Sequence, residues 1–181
     1  MHVAGLHLNS GTSNGNADAV RTSLGPGYTL LRVTQWEEGI AFAPHLRLRT
    51  VGEAAAAKLR WVAREEGSGA RDCLDAIFRG RRRPAGRFAH VAADHLGVVE
   101  TIRSGWAEAG VTVRLCATEA GLGFLTARRA AYDLCYRTAL HDDPCIRALR
   151  RSVQSKRFRR QLGGLPGYRV DEMGALSRVS D

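Results

Sequence analysis

Short apolar runs alternate with amphipathic segments through the middle of this chain, and that alternation constrains the fold more than any other feature. Thr50 and Glu53 form a capping box ahead of the alanine run 54–57, so a helix starts there. Residues 59–63 follow as a strand and lead into Gly67-Ser68-Gly69-Ala70-Arg71. The next helix shows Leu74, Ile77 and Phe78 on one face and stops near Gly80. Residues 87–91 read as a strand, and Asp94 caps a helix whose inward stripe is Leu96, Val99 and Ile102, ended by Gly105. A strand over 107–111 and a short helix over 112–120, closed by Gly121, complete the series. Strands taking turns with helices predict an α/β fold with a mostly parallel sheet. Ligands of such sheets bind beyond the carboxyl ends of the strands.

The flanks are less regular. Residues 2–8 read as a strand that stops at the polar run 9–16, and 17–24 as a short helix before the Gly25-Pro26-Gly27 turn. Residues 28–33 and 39–43 read as two strands, separated by the polar stretch around Trp36, Glu37 and Glu38. Residues 122–125 and 132–137 read as two more. Asp143 before Pro144 opens a helix that turns Ile146, Leu149 and Val153 inward, and Ser155 restarts a second helix holding Phe158 and Leu162. From Tyr168 onward the chain reads as irregular.

The Gly67–Arg71 turn sits where a strand gives way to a helix. A helix N-terminus carries unpaired N–H donors and a partial positive charge, which suits an anion. Ser68 reads equally as a plain N-cap. Arg71 reads either as an anion contact or as a side chain lying along its own helix, paired with Asp72 or Asp75.

Most other chemistries lack their residues. The turn has no Walker lysine and no dinucleotide fingerprint spacing. Ser68 has no evident base, and His90 and His95 are near one another in sequence but their spacing does not make a relay. Asp94, Asp133, Asp142 and Asp143 read as caps and turns. Cys73, Cys116, Cys135 and Cys145 form no CxxC pair and read as structural thiols, so neither a metal nor a cofactor is expected. The expectation is a non-catalytic protein.

With 44% hydrophobic residues the chain is a folded one, and no apolar run has the length of a bilayer span. The segment MHVAGLHLNSG lacks a basic region followed by a long apolar one, so the expected location is the cytoplasm. The net charge of +9 is concentrated in two places. Arg79, Arg81, Arg82, Arg83 and Arg87 make one patch; Arg147, Arg150, Arg151, Lys156, Arg157, Arg159 and Arg160 make the other. Either patch reads as a solvated face or as a surface for nucleic acid or an acidic partner.

Taken in order, these segments resemble a known family. Gly67-Ser68-Gly69-Ala70-Arg71 is similar to the glycine-serine-glycine-threonine-arginine turn of type 2 periplasmic-binding-protein-like domains. The similar branch is the soluble one related to molybdate-binding proteins, found fused to helix-turn-helix or molybdopterin-biosynthesis domains. Residues 17–49 resemble the stretch from the first lobe into the hinge, with Gly39-Ile40-Ala41-Phe42-Ala43-Pro44 as the crossing strand. His95-Leu96-Gly97-Val98-Val99 and residues 102–110 resemble the helix that ends in "SGRADAG", and Tyr132-Asp133-Leu134 the return strand. Asp143-Pro144, Leu149, residues 155–158 and residues 162–168 resemble the closing helices and their glycine-rich end.

The resemblance implies an α/β fold of two lobes, with 1–40 and 138–181 in lobe I, 41–137 in lobe II, and crossing strands near 41–43 and 134–137. It implies a cleft for a small oxyanion or carboxylate, molybdate-like, sensed on behalf of a DNA-binding or enzymatic partner. Ser68, Gly69, Ala70 and Arg71 would hold the anion, facing a polar loop containing His7, Asn9, Ser10, Thr12 and Asn14. His95 and Tyr132 complete the candidate set, each reading equally as an ordinary packed side chain, and the loop residues equally as stabilisers of their own backbone. Ala70 stands where the family has threonine, removing one hydroxyl. The family's first strand–helix–strand of lobe I has no counterpart before residues 2–8, which implies either a fragment of a longer reading frame or a short protein that completes lobe I by pairing with another chain, as in a homo-oligomer.

Overall fold

The computed structural model describes residues 2–7, 15–80, 88 and 90–180. Ser10, Thr12, Asn14 and Asn9 of the candidate loop, and Arg81, Arg82, Arg83 and Arg87 of the first basic patch, lie outside the described residues. The elements in chain order are β1 (Val3–Leu6), α1 (Gly15–Leu24), β2 (Tyr28–Phe42), α2 (Val51–Ala56), β3 (Trp61–Arg64), α3 (Gly69–Ile77), β4 (His90–Ala92) and α4 (His95–Arg103). Then come β5 (Ala109–Val113), α5 (Arg114–Glu119), β6 (Gly123–Arg137), a 3-10 turn (Thr138–Leu140), α6 (Pro144–Val153), α7 (Lys156–Gly163), β7 (Tyr168–Arg169) and β8 (Leu176–Val179).

The helices begin where local chemistry places them. Thr50 and Glu53 make both bonds of the capping box, and Ser68, Asp94, Asp143 and Ser155 each cap their helix with a side-chain oxygen. The long strands were not foreseen. Residues 28–33 and 39–43 are one strand, β2, and 122–125 and 132–137 are one strand, β6. The stretch over Trp36, Glu37 and Glu38 contains no turn, because its carboxylates find arginine partners. Gly39 allows β6 to lie alongside: a Cβ there would come within 2.1 Å of the Leu125 carbonyl oxygen. Thr112 belongs to β5, not to the helix that follows, and the tail forms β7 and β8 by pairing with β2.

The chain forms two compact units, 1–36 with 130–181 and 37–129. They differ from the expected division at 40/41 and 137/138 because β2 and β6 run on from one unit into the other, with the changeover in mid-strand.

In the first unit β1 pairs antiparallel with the end of β6, and β8 and β7 pair antiparallel with β2. Alternate residues feed two cores. Leu30 and Cys135 pack with Val20 of α1, while Leu31, Val33 and Tyr136 pack with Ile146 and Val153 of α6. A buried polar cluster pins the α1 side. Asp133 accepts from Asn16 Nδ2 at 2.7 Å and from Arg32 Nε at 2.5 Å.

In the second unit β3 pairs parallel with both β4 and β5, and β5 antiparallel with β2. Ile40, Phe42, Trp61 and Ala63 face Leu74 of α3; Ala41, Ala43 and Val62 face Val98 and Ile102 of α4 and Ala117 of α5. Helices thus cover both faces, as a parallel sheet requires. Leu96, expected in the buried stripe, is 60% exposed, and Val98 takes its place beside Val99 and Ile102. Cap geometry sets the phase: with Asp94 as N-cap, position 96 lies on the outer side of the first turn.

Candidate functional site

The geometry of the second unit follows from its parallel strands. Because β3 and β4 run the same way, α3 and α4, which follow them, both start at the carboxyl ends of adjacent strands. Gly67 makes the first turn possible with a φ of +82°, and Ser68 turns the chain into α3. Arg64, the last residue of β3, ties the two helix starts together: its Nε donates to the Ala92 carbonyl at 3.1 Å and its Nη2 to that of Ala93 at 2.8 Å.

The candidate side chains in this region are engaged locally. Ser68 Oγ donates to the Glu65 carbonyl at 2.8 Å and accepts from the Arg71 N–H at 3.3 Å. Arg71 donates from Nε to Asp75 at 3.2 Å and from Nη1 to the Arg64 carbonyl at 3.4 Å, approaches Glu66 at 3.6 Å, and lies over the Phe88 ring. Its guanidinium therefore clamps the turn to its own helix. Ala70 is buried against the core. His95 begins α4, with its Nδ1 3.2 Å from the Thr112 hydroxyl. As in any helix, the first backbone N–H groups of α3 and α4 have no acceptor within their own helix and carry a partial positive charge.

Sequence reasoning missed the groups that hold the turn from below. Arg128 of β6 donates to the buried Glu38 carboxylate of β2 at 2.6 Å and to the Gly69 carbonyl at 2.6 Å. Nearby, Arg114 pairs with Glu37, donates to Thr126 at 2.9 Å, and stacks over Phe124. Burial raises the Glu37 carboxyl, but hydrogen bonds from Arg114 and Thr126 outweigh it, leaving it below the ordinary range. Cys73 of α3 is pushed up to about 12, first by burial and then by Glu38. The signal for Glu38 and Arg128 was the absence of any turn residue between Val33 and Gly39, which makes one long strand with a charge inside it.

Tyr132 and His7 belong to the first unit. Tyr132 and His7 both flank Trp36, with ring centroids 6.4 Å and 5.6 Å away. Among the described residues no three His, Cys, Asp or Glu side chains stand close enough to hold a metal ion, and no helix is long and apolar enough to cross a membrane.

An α/β domain in two units, joined by strands shared between them and offering helix starts at the carboxyl ends of parallel strands, is the architecture of type 2 periplasmic-binding-protein-like domains. The chain belongs to the PBP superfamily domain family, whose model matches residues 1–154. No curated protein matches the sequence. Solved structures share the fold at low identity. An ABC-type phosphate transport receptor from Vibrio cholerae superposes with a TM-score of 0.59 at 9% identity, over 91% of this chain and 79% of that one. PEB3 with bound L-phospholactate gives 0.57 at 12%, over 93% and 79%. The LysR substrate-binding domain of a putative periplasmic protein from Wolinella succinogenes gives 0.54 at 12%, over 90% and 78%. Each of these is named for binding or transport. They also overturn the expected cytoplasmic location: the fold's company is that of transport receptors and a periplasmic protein, so the missing leader pattern is no guide to compartment.

Proposed function

We propose that this chain binds a small oxyanion or carboxylate without catalysis, using the helix starts of its second unit. One observation carries the proposal: β3 and β4 are parallel neighbours, so two helix N-termini open at the same end of one sheet. Phosphate, L-phospholactate and substrate-binding relatives of the same fold support the ligand class. Main-chain donors from Gly69, Ala70 and His95 hold the oxygens, and Arg71 keeps the turn rigid and adds positive potential. A molybdate-like ligand and a role as the sensing part of a transcriptional regulator, or as its partner, are the finer form of this reading.

A thermal-shift screen of phosphate, methylphosphonate, molybdate, tungstate, sulfate and small carboxylates tests it. A ligand at about 100 times its Kd adds roughly 2.7 kcal/mol. Gly69→Pro is the diagnostic variant. Gly69 is the first helical residue, where proline is tolerated, and Ser68 already has the extended ψ of 145° that a following proline requires. The variant should keep its fold and lose the ligand-induced shift, and Arg71→Ala should weaken it. A ligand shift undiminished in both variants places the site elsewhere.

A further inference from the structure

The first unit has a second feature that the anion site does not use. A cavity of 770 Å³ opens beside α6 and α7. Its floor is the sheet face formed by Val33 of β2 and by Tyr132 and Leu134 of β6, and its wall is Leu149 and Phe158 from the two helices. Arg151 and Arg157 line the same opening, both exposed and neither within ion-pair distance of a carboxylate among the described residues. From Pro144 to Val170 the sequence contains no Asp or Glu, so no local residue neutralises this edge.

We propose that this groove docks an amphipathic helix of an acidic partner protein, its apolar face on Val33, Leu134 and Phe158 and its carboxylates against Arg151 and Arg157. The architecture favours a helix. α6 and α7 already cover part of this sheet face, and the uncovered strip beside them continues the same layer. Helix-in-groove recognition pairs such a strip with anchors spaced i, i+3, i+4 and i+7. The charge selects the partner: apolar burial supplies affinity, and the two exposed guanidiniums select carboxylates on the helix flank and repel a basic one. A second copy of this chain is disfavoured, since it carries a net charge of +9 and would bring like charges together at the rim.

The test uses a fluorescein-labelled 16-residue peptide with leucines at that spacing and glutamates on both flanks, read by fluorescence anisotropy against the intact chain. A matched peptide with lysine flanks and one with serine in place of leucine are the controls. The glutamate peptide should bind saturably at one per chain, and the serine peptide should not. Arg151→Glu with Arg157→Glu lies on exposed positions, and the double variant should weaken the glutamate peptide at least tenfold while gaining affinity for the lysine peptide. Ala148→Arg, an exposed position on the groove wall, should block both without altering the circular dichroism spectrum. Equal affinity for the two charged peptides, no saturable binding, or no change in the reversed-charge variant overturns the proposal. So does a self-association in analytical ultracentrifugation that Ala148→Arg abolishes, which assigns the groove to a second copy, or displacement of the peptide by dodecanoate at matched concentration, which makes it an acyl pocket.

Discussion

Asp133→Ala is expected to be among the most damaging single substitutions in the first unit. The carboxylate is 2% exposed and takes hydrogen bonds from Asn16 at 2.7 Å and Arg32 at 2.5 Å. Removing one partner of a buried charge pair costs about 3–5 kcal/mol, because the remaining charge stays out of water unpaired. Two features place this case near the lower end. Arg32 keeps Glu172 at 2.7 Å and is partly exposed, and Asn16 keeps the Leu6 and Ala131 carbonyls at 3.3 and 3.2 Å. The expected loss is therefore about 3 kcal/mol, a large share of the 5–15 kcal/mol that holds a typical domain together. Urea unfolding followed by far-ultraviolet circular dichroism measures it, with an unchanged m-value showing that the unfolded state is not the cause. A second variant separates charge burial from packing. Arg32→Met with Asp133→Leu removes both charges and fills the space, and should recover most of the loss. A loss under about 1 kcal/mol for Asp133→Ala, far below the cost of an orphaned buried charge, would refute the reasoning. So would a double variant no better than the single one.

Two more predictions concern titration and thiol chemistry. Glu37 and Glu108 both titrate below the ordinary range when folded, Glu37 because its hydrogen bonds outweigh burial and Glu108 chiefly through the Arg60 N–H. Depressed carboxyls bind protons more readily in the unfolded chain, so their contribution is present above the ordinary glutamate value of about 4.3 and is lost as pH falls through the folded values. Stability measured from pH 6 downward should show this acid limb, and Glu37→Gln should flatten it; an identical limb in that variant would count against the assignment. Cys145 is exposed, whereas the buried Cys73 is held as a neutral thiol with its value pushed up to about 12. Ellman's reagent at neutral pH should therefore label Cys145 in the native chain and Cys73 only after unfolding, as peptide mapping would show.

Where local chemistry decides, the elements were legible in the residues. Thr50, Ser68, Asp94, Asp143-Pro144 and Ser155 each mark a helix start that the structure contains. Apolar spacing in the second unit set the α/β class, and the ordered motifs pointed to the binding-protein-like family to which the chain belongs. The sheet is mixed rather than mostly parallel, since β3 pairs in parallel with β4 and β5 while β1, β7, β8 and the β2–β5 pair are antiparallel. Strand length was not legible. Trp36, Glu37 and Glu38 look like a break because a charge within a strand is costly unless it is paired, and their partners stand far along the chain at Arg114 and Arg128. The tail was read as irregular for the same kind of reason, since β7 and β8 exist only through pairing with β2.

The division between sequence and structure is one of range. Caps, turns and helical periodicity act within a few residues, so the sequence by itself determined the helix starts, the alternation of elements, the Gly67–Arg71 turn and the basic run over α6 and α7. Tertiary structure alone decided what those residues touch. It joined four short strands into β2 and β6, and it committed the Arg71 guanidinium to Asp75 and the Arg64 carbonyl. It also brought Glu38 and Arg128 together beneath the turn and left Arg151 and Arg157 without an ion-pair partner among the described residues, beside an apolar groove. A buried charge and its partner need only meet in space, and no local rule records that meeting.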